Sequence, residues 1–250
     1  MRLLAIARRE AAALFRSPLA WVVLAAVQGT VAFMFLLHLD GYLQLQSQLR
    51  AAGNGPGMTA YLVPQLFGAA TSVQLMALPL LTMNLLAGES RRGTLPLLLS
   101  APVSTIEIVL GKYLGLLAML ALLVVLTACM PLSLAFAADL DAGLLAGAAL
   151  GNLLFVASGG AAGLFLSALT RDPTIAAIAT LGLMLVLFLL GTAQDALGAP
   201  WGALLSYPAP ATHLAPFFRG LFDTRALAFF VLFSVFFLAL ATRRLDHERL

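Results

Sequence analysis

A chain of 250 residues that is 62% hydrophobic and only 10% charged cannot cover itself with polar groups in water, where soluble domains carry roughly 25% charge. With a mean hydropathy of +1.00 the solvent must be lipid. The net charge of +3 and pI near 9.5 would suggest nucleic acid in a soluble protein. Here the 14 basic residues stand between apolar runs and read as topology signals, so no nucleic-acid partner is expected.

Residues 1–16 place Leu3, Leu4, Ala7, Ala11 and Leu14 on one helical face, with Arg2, Arg9 and Arg16 opposite. That pattern predicts an amphipathic helix in the membrane interface, stopped at Ser17-Pro18. A spanning helix needs about 20 mostly apolar residues. Six stretches satisfy this: Leu19–Leu39, Tyr61–Ala87, Ile108–Ala138, Ala142–Leu169, Ile175–Ala193 and Ala226–Thr242. The first exceeds a signal-peptide core and has no small-residue cleavage site after it, so an uncleaved span is expected. Residues 40–60 read as a polar outer loop ending in the flexible Gly53–Gly57. Asp139-Leu140-Asp141 reads as a tight turn between the third and fourth spans, and residues 194–225, rich in proline and aromatics, as short helices at or dipping into the outer interface. The fold class expected is therefore all-α and membrane-spanning, one six-span domain over residues 1–250.

Basic residues fix the expected orientation. Arg2, Arg8, Arg9, Arg16, Arg91, Arg92, Lys112, Arg171, Arg243, Arg244 and Arg249 fall on one side, against Arg50, Arg219 and Arg225 on the other. Both termini are expected in the cytoplasm of a bacterial inner membrane.

Little in the chain points to catalysis. It has no GxxxxGK[ST] and no HExxH, and His38, His213 and His247 lie on different segments, so neither an ATP-binding loop nor a metal site is expected. Cys129 lies in an apolar run and reads as a small core residue. Ser158-Gly159-Gly160 invites an intramembrane hydrolase. However, Gly147, Gly151, Gly159 and Gly163, with Ala148 and Ala162 beside them, fit close helix packing better. Charge inside the spans is limited to Glu107 and Lys112 near one boundary, which argues against ion coupling. The neutral residues Gln28, Thr30, Gln74, Asn84 and Asn152 are expected to hydrogen-bond between helices. Any transport then needs an external motor.

Two stretches suggest one. Residues 88–112, GESRRGTLPLLLSAPVSTIEIVLGK, carry a charged cluster, Gly-Thr, a leucine run, Pro-x-Ser and Glu-x-x-x-Gly-Lys. This resembles the connection between spans two and three of type 2 ABC exporter permeases. Residues 213–225, HLAPFFRGLFDTR, followed by a phenylalanine-rich span and a basic tail, are similar to the gliding-motility and nitrous-oxide-reductase-maturation subgroup. Pro96 stands where that family usually has an acid, removing a charge.

The resemblance implies a paired, twelve-span permease driven by two ATPase chains that hold ATP and magnesium, with no cofactor in this chain. It implies a coupling helix within 88–104 that docks in an ATPase groove. Glu89, Arg91 and Arg92 would make the polar contacts, Gly93 and Thr94 would continue the motif, and Leu97, Leu98 and Leu99 would fill the groove. Gln28 and Thr30 are the candidates for the dimer seam or membrane path. A periplasmic or membrane auxiliary protein is a further expected partner. The alternative is a subunit that moves no cargo and relays ATPase-driven motion to a periplasmic protein.

Overall fold

The computed structural model describes residues 2–52, 57–96, 100, 103–136, 140–192, 198 and 201–249. Among them there is no strand. The helices are α1 (Arg2–Arg16), α2 (Pro18–Ala52), α3 (Met58–Thr82), α4 (Ala87–Arg91), α5 (Thr105–Leu132), α6 (Ala142–Leu169), α7 (Pro173–Gly191), α8 (Trp201–Ser206), α9 (Ala215–Phe218) and α10 (Thr224–Arg249), with 3-10 turns at Ser133–Phe136 and Pro210–His213. Six of these, α2, α3, α5, α6, α7 and α10, are long and apolar enough to cross a membrane.

Local chemistry sets several starts. Ser104 and Glu107 close a reciprocal capping box at α5, each side chain meeting the other's backbone N–H. Asp141 caps α6 by accepting from the N–H groups of Gly143 and Leu144 at 2.9 and 3.1 Å. Asp172 caps α7 through the Thr174 N–H at 2.8 Å, with Pro173 at the first helical position, where its missing N–H costs nothing.

Burial separates centre from rim. About the most hydrophobic window, α3 and α6 are each 61% buried, while α7 and α10 are 17% buried. The centre is therefore α3 against α6, with α5 beside them; α2 lies on α3, α10 on α6, and α7 against both central helices. In lipid, apolar contact between helices gains no hydrophobic driving force, so close approach at small residues carries the packing. The α6 glycines divide this work. A Cβ at Gly159 would strike Leu78, one at Gly163 would strike Thr82, and one at Gly160 would come 2.9 Å from Leu116. At Gly151 it would lie 2.6 Å from Phe217 Cβ, and at Gly147 3.1 Å from the Phe217 carbonyl. The segment 201–220 thus folds back into the bundle, with Ala209, Leu214 and Phe217 buried. Gly220, at φ 72°, turns the chain closely past Leu144.

Several expectations change. The first span does not stop at Leu39: α2 runs on to Ala52, so most of the expected loop 40–60 is helix, and Tyr42 meets the Tyr61 ring at 5.6 Å. Gly53–Pro56 lie outside the described residues. The second span breaks after Thr82 rather than reaching Ala87 as one helix. α5 ends at Leu132, followed by a 3-10 turn, and residues 137–139 lie outside the described residues. α10 continues through the expected tail to Arg249. Cys129 is exposed on the flank of α5 instead of buried. In α1, Leu4 is exposed and Ile6 with Glu10 takes the inward side.

Candidate functional site

The end of the bundle that holds α1, α4 and the tail of α10 is built around one buried cation. Lys112 is 1% exposed. Its Nζ meets Glu89 Oε1 at 2.7 Å and Glu10 Oε1 at 2.9 Å. A lysine taken out of water is costly unless paired and hydrogen-bonded. Here the pairing ties three elements together, since Glu10 belongs to α1, Glu89 to α4 and Lys112 to α5. Gly111 and Gly115 make this possible. A Cβ at Gly111 would lie 2.6 Å from Ile6, and one at Gly115 2.6 Å from Glu10 Cβ and 3.0 Å from α1 backbone. The amphipathic helix therefore packs along the near half of α5.

Several described residues of the 88–112 motif have a local task. Gly93, at φ 69°, ends α4 in the left-handed conformation that glycine tolerates best. The Gly93 N–H donates to the Ser90 carbonyl at 3.1 Å and the Thr94 N–H to the Glu89 carbonyl at 3.0 Å. Those two bonds form a Schellman stop, and the Thr94 hydroxyl adds a second bond to the same Glu89 carbonyl at 3.2 Å. Further along the motif, Glu107 caps α5, Gly111 admits α1 and Lys112 is the central charge.

Between α3 and α4 the backbone runs as a turn over residues 83–86. Ser167, fully buried on α6, closes it. Its hydroxyl accepts from the Leu86 and Ala87 N–H groups at 3.1 and 3.0 Å and donates to the Met83 carbonyl at 2.9 Å. All three hydrogen-bonding positions of one hydroxyl are thereby used. One side chain of the central helix holds the joint between the second span and the charged element.

Other contacts fasten the same end. Thr105, at the start of α5, donates to Asp246 of α10. The Thr174 N–H holds the Asp172 carboxyl below the usual carboxylate range, and the nearby Arg91 adds to this. A cleft of about 830 Å³ opens between the charged segment and the tail, lined by Gly93, Leu95, Pro96, Arg171 and Glu248 among others.

The expected site residues are placed unevenly. Glu89 turns inward to Lys112, whereas Arg91, Arg92, Gly93 and Thr94 are exposed. Arg92 Nε also donates to the Gly88 carbonyl at 3.0 Å. Leu97, Leu98 and Leu99 lie outside the described residues. Gln28 reaches from α2 to the Leu123 carbonyl of α5 at 2.7 Å and to Thr127 at 3.3 Å. Thr30 is exposed and donates along its own helix, to the Ala26 carbonyl at 2.9 Å. Gln74 and Asn152 join α3 to α6 at 2.7 Å, while Asn84 is exposed in the turn between α3 and α4. The Ser158 hydroxyl donates to the Phe155 carbonyl of its own helix at 2.7 Å.

Glu10 and Ser167 carry much of this arrangement and were not singled out by sequence reasoning. Glu10 had a signal: it is the lone acid among the arginines of an amphipathic helix, on the face with Ile6. Ser167 had none, because its partners are backbone groups about 80 residues away.

Residues 4–234 match a family model described as ABC-2 family transporter protein. No curated protein matches the chain.

Proposed function

We propose, for a chain that belongs to the ABC-2 family of transporter proteins and so forms the multi-pass permease subunit of an ABC transporter, that it serves an exporter and is driven through residues 88–104. Two copies would pair, with two cytoplasmic ATPase chains supplying ATP and magnesium. The observation that carries the coupling role is the Lys112 cluster. An ATPase that displaces the 88–96 segment must act on α1 and α5 through Glu89, Lys112 and Glu10, and on α3 through the turn held by Ser167. Coupling of this kind needs contiguous, well-packed contacts between discrete elements, which this end supplies. Arg91 and Arg92, exposed beside the cleft, are the motor-facing charges, and Glu89 is the internal brace. Leu97–Leu99 are proposed to fill the groove on the ATPase.

The test is Arg91→Glu with Arg92→Glu. Like charges brought together across an interface cost several kcal/mol. The double variant should insert in the membrane at wild-type level, while the P-loop ATPase that copurifies with the chain falls at least about tenfold. Undiminished copurification together with unchanged stimulated ATP hydrolysis would remove the coupling role.

The proposed orientation puts both termini in the cytoplasm of a bacterial inner membrane. The eleven basic residues at the α1 end support it. Single cysteines replacing Tyr207 or Leu221 should then be labelled from outside by an impermeant maleimide, and cysteines at Ser90 or Asp246 should not. Labelling in the reverse pattern inverts the topology.

The subgroup resemblance in residues 213–225 supports a periplasmic or membrane auxiliary partner. The second reading, a subunit that relays ATPase-driven motion and moves no cargo, is supported by α2, which extends well past Leu39. Crosslinking tests the paired state. Cysteines stepped through Trp21–Phe33 on a Cys129→Ala background should link two copies in the assembled complex at a helical period. The exposed positions 21, 22, 25, 26, 29, 30 and 33 should react best. If another span links efficiently and these do not, the seam lies elsewhere.

A further inference from the structure

Beside the Lys112 cluster lies a second cavity, of about 810 Å³, whose lining shares Arg92, Glu89, Lys112 and Glu10 with the proposed coupling path. Its walls come from α1, the start of α2, the end of α3 and the α4 segment. One part is charged, with Arg9, Arg92, Lys112, Glu10 and Glu89. Three cations against two carboxylates leave one positive charge unbalanced. Both carboxylates are engaged by Lys112, so the surplus falls to the Arg9 and Arg92 side. The other part is apolar, with Leu14, Leu19, Leu80, Leu81 and Leu85.

Two of those leucines fix what the cavity opens towards. Leu19 and Leu80 are 39% and 40% exposed on helices long and apolar enough to cross a membrane, so the cavity opens onto an apolar flank of the bundle. Trp21 marks the depth. It is exposed, its indole N–H donates to the Phe15 carbonyl at 2.7 Å, and its ring lies 6.3 Å from Phe15. Tryptophan with one wet and one apolar side sits at the headgroup level of a bilayer. The cavity lining at Ser17, Leu19 and Ala20 is within one turn of it. A basic end, an apolar end opening onto that flank and a headgroup depth together describe the polar region of a lipid.

We propose that this cavity holds one anionic phospholipid, its phosphate between Arg9 and Arg92 and the start of its acyl chains over Leu19 and Leu80. Arginine suits the role, because its planar fork engages phosphate oxygens bidentately. Arg92 keeps that fork, since its bond to the Gly88 carbonyl uses Nε. The lipid would fasten α1 to the α4 segment from the membrane side, in parallel with the Glu10–Lys112–Glu89 contacts. A headgroup bearing a single negative charge also balances the surplus.

The test uses the full chain in nanodiscs of phosphatidylcholine with one-fifth phosphatidylglycerol, released for native mass spectrometry. Wild type should retain one phosphatidylglycerol in roughly 30-fold preference to phosphatidylcholine, the preference two interfacial arginines supply. The Arg9→Gln, Arg92→Gln double variant should lose it. Arg243→Gln, which removes an exposed arginine elsewhere at the same end, should not. Leu80→Trp leaves every charge in place and fills the apolar mouth, so it should lose the lipid even if the double variant misfolds. Absence of any preference in wild type overturns the proposal, as does an equal loss with Arg243→Gln. Retention in Leu80→Trp places the lipid elsewhere and displacement by millimolar inorganic phosphate identifies a free-anion site, and either result overturns the proposal.

Discussion

Lys112→Met is expected to destabilise the purified protein by about 3–5 kcal/mol, towards the lower figure because the two carboxylates keep some contact with water. The side chains of Glu10 and Glu89 are 15% and 16% exposed, while Lys112 is 1% exposed. Methionine fills nearly the same volume, so the loss is electrostatic: two carboxylates would face each other without their cation. Glu89 Oε2 is already buried with no hydrogen-bond partner among the described residues, which leaves the site little slack. Removing the charges together should reverse much of the effect, since a buried ion cluster replaced by neutral groups of similar size is often tolerated. Thermal unfolding in detergent of Lys112→Met, and of the triple variant with Glu10→Gln and Glu89→Gln, separates the two. A single variant as stable as wild type, or a triple variant no better than the single, would show that the cluster does not hold α1 and α4 to α5.

Ser167→Ala should be nearly as damaging, though it deletes a single oxygen. It leaves the Leu86 and Ala87 N–H groups and the Met83 carbonyl without their partner inside the bundle. The two N–H groups are buried, and each buried backbone group left unpaired costs about 1–3 kcal/mol, so a loss of about 2 kcal/mol is expected even at the low end. The functional result is more specific. With the turn at 83–86 released, ATPase binding to the 88–96 segment should persist while its hydrolysis is no longer stimulated by the permease. Ser167→Cys keeps a weak donor and should lie between. If Ser167→Ala binds and stimulates the ATPase like wild type, the turn is not part of the coupling path.

Hydropathy made six spans legible because lipid demands long apolar runs, yet it reports the solvent around a helix and not the helix itself. The continuation of α2 shows the difference. Residues 40–52 turn polar with Asp40, Gln44, Gln46, Gln48 and Arg50, which ends the apolar run, but these residues do not break a helix. The opposite failure occurs at residues 83–86, which stay largely apolar while the helix stops. The groups that permit that stop come from Ser167, and no local window contains them. Cys129 shows a third limit. In a helix apolar all round, periodicity cannot tell the face against lipid from the face against protein. The charged motif was more informative because its residues act mostly on near neighbours: Gly93 on α4, Glu107 on α5. Lys112 was visible as an oddity, but its partner Glu10 is 102 residues away.

The length of α2 has a mechanical consequence. Thirty-five residues of continuous helix form a rod of about 52 Å, against a hydrocarbon core of about 30 Å. Its first turn adjoins the cavity beside the Lys112 cluster, and its far portion leans on Tyr61. Were it pivoted near Pro18, a tilt of about 5° would carry the far tip through about 4.5 Å, a displacement comparable to one helical turn. Displacements too slight to open any passage at the near end would therefore arrive beyond the opposite membrane surface as a stroke large enough to seat or release a side chain of another protein.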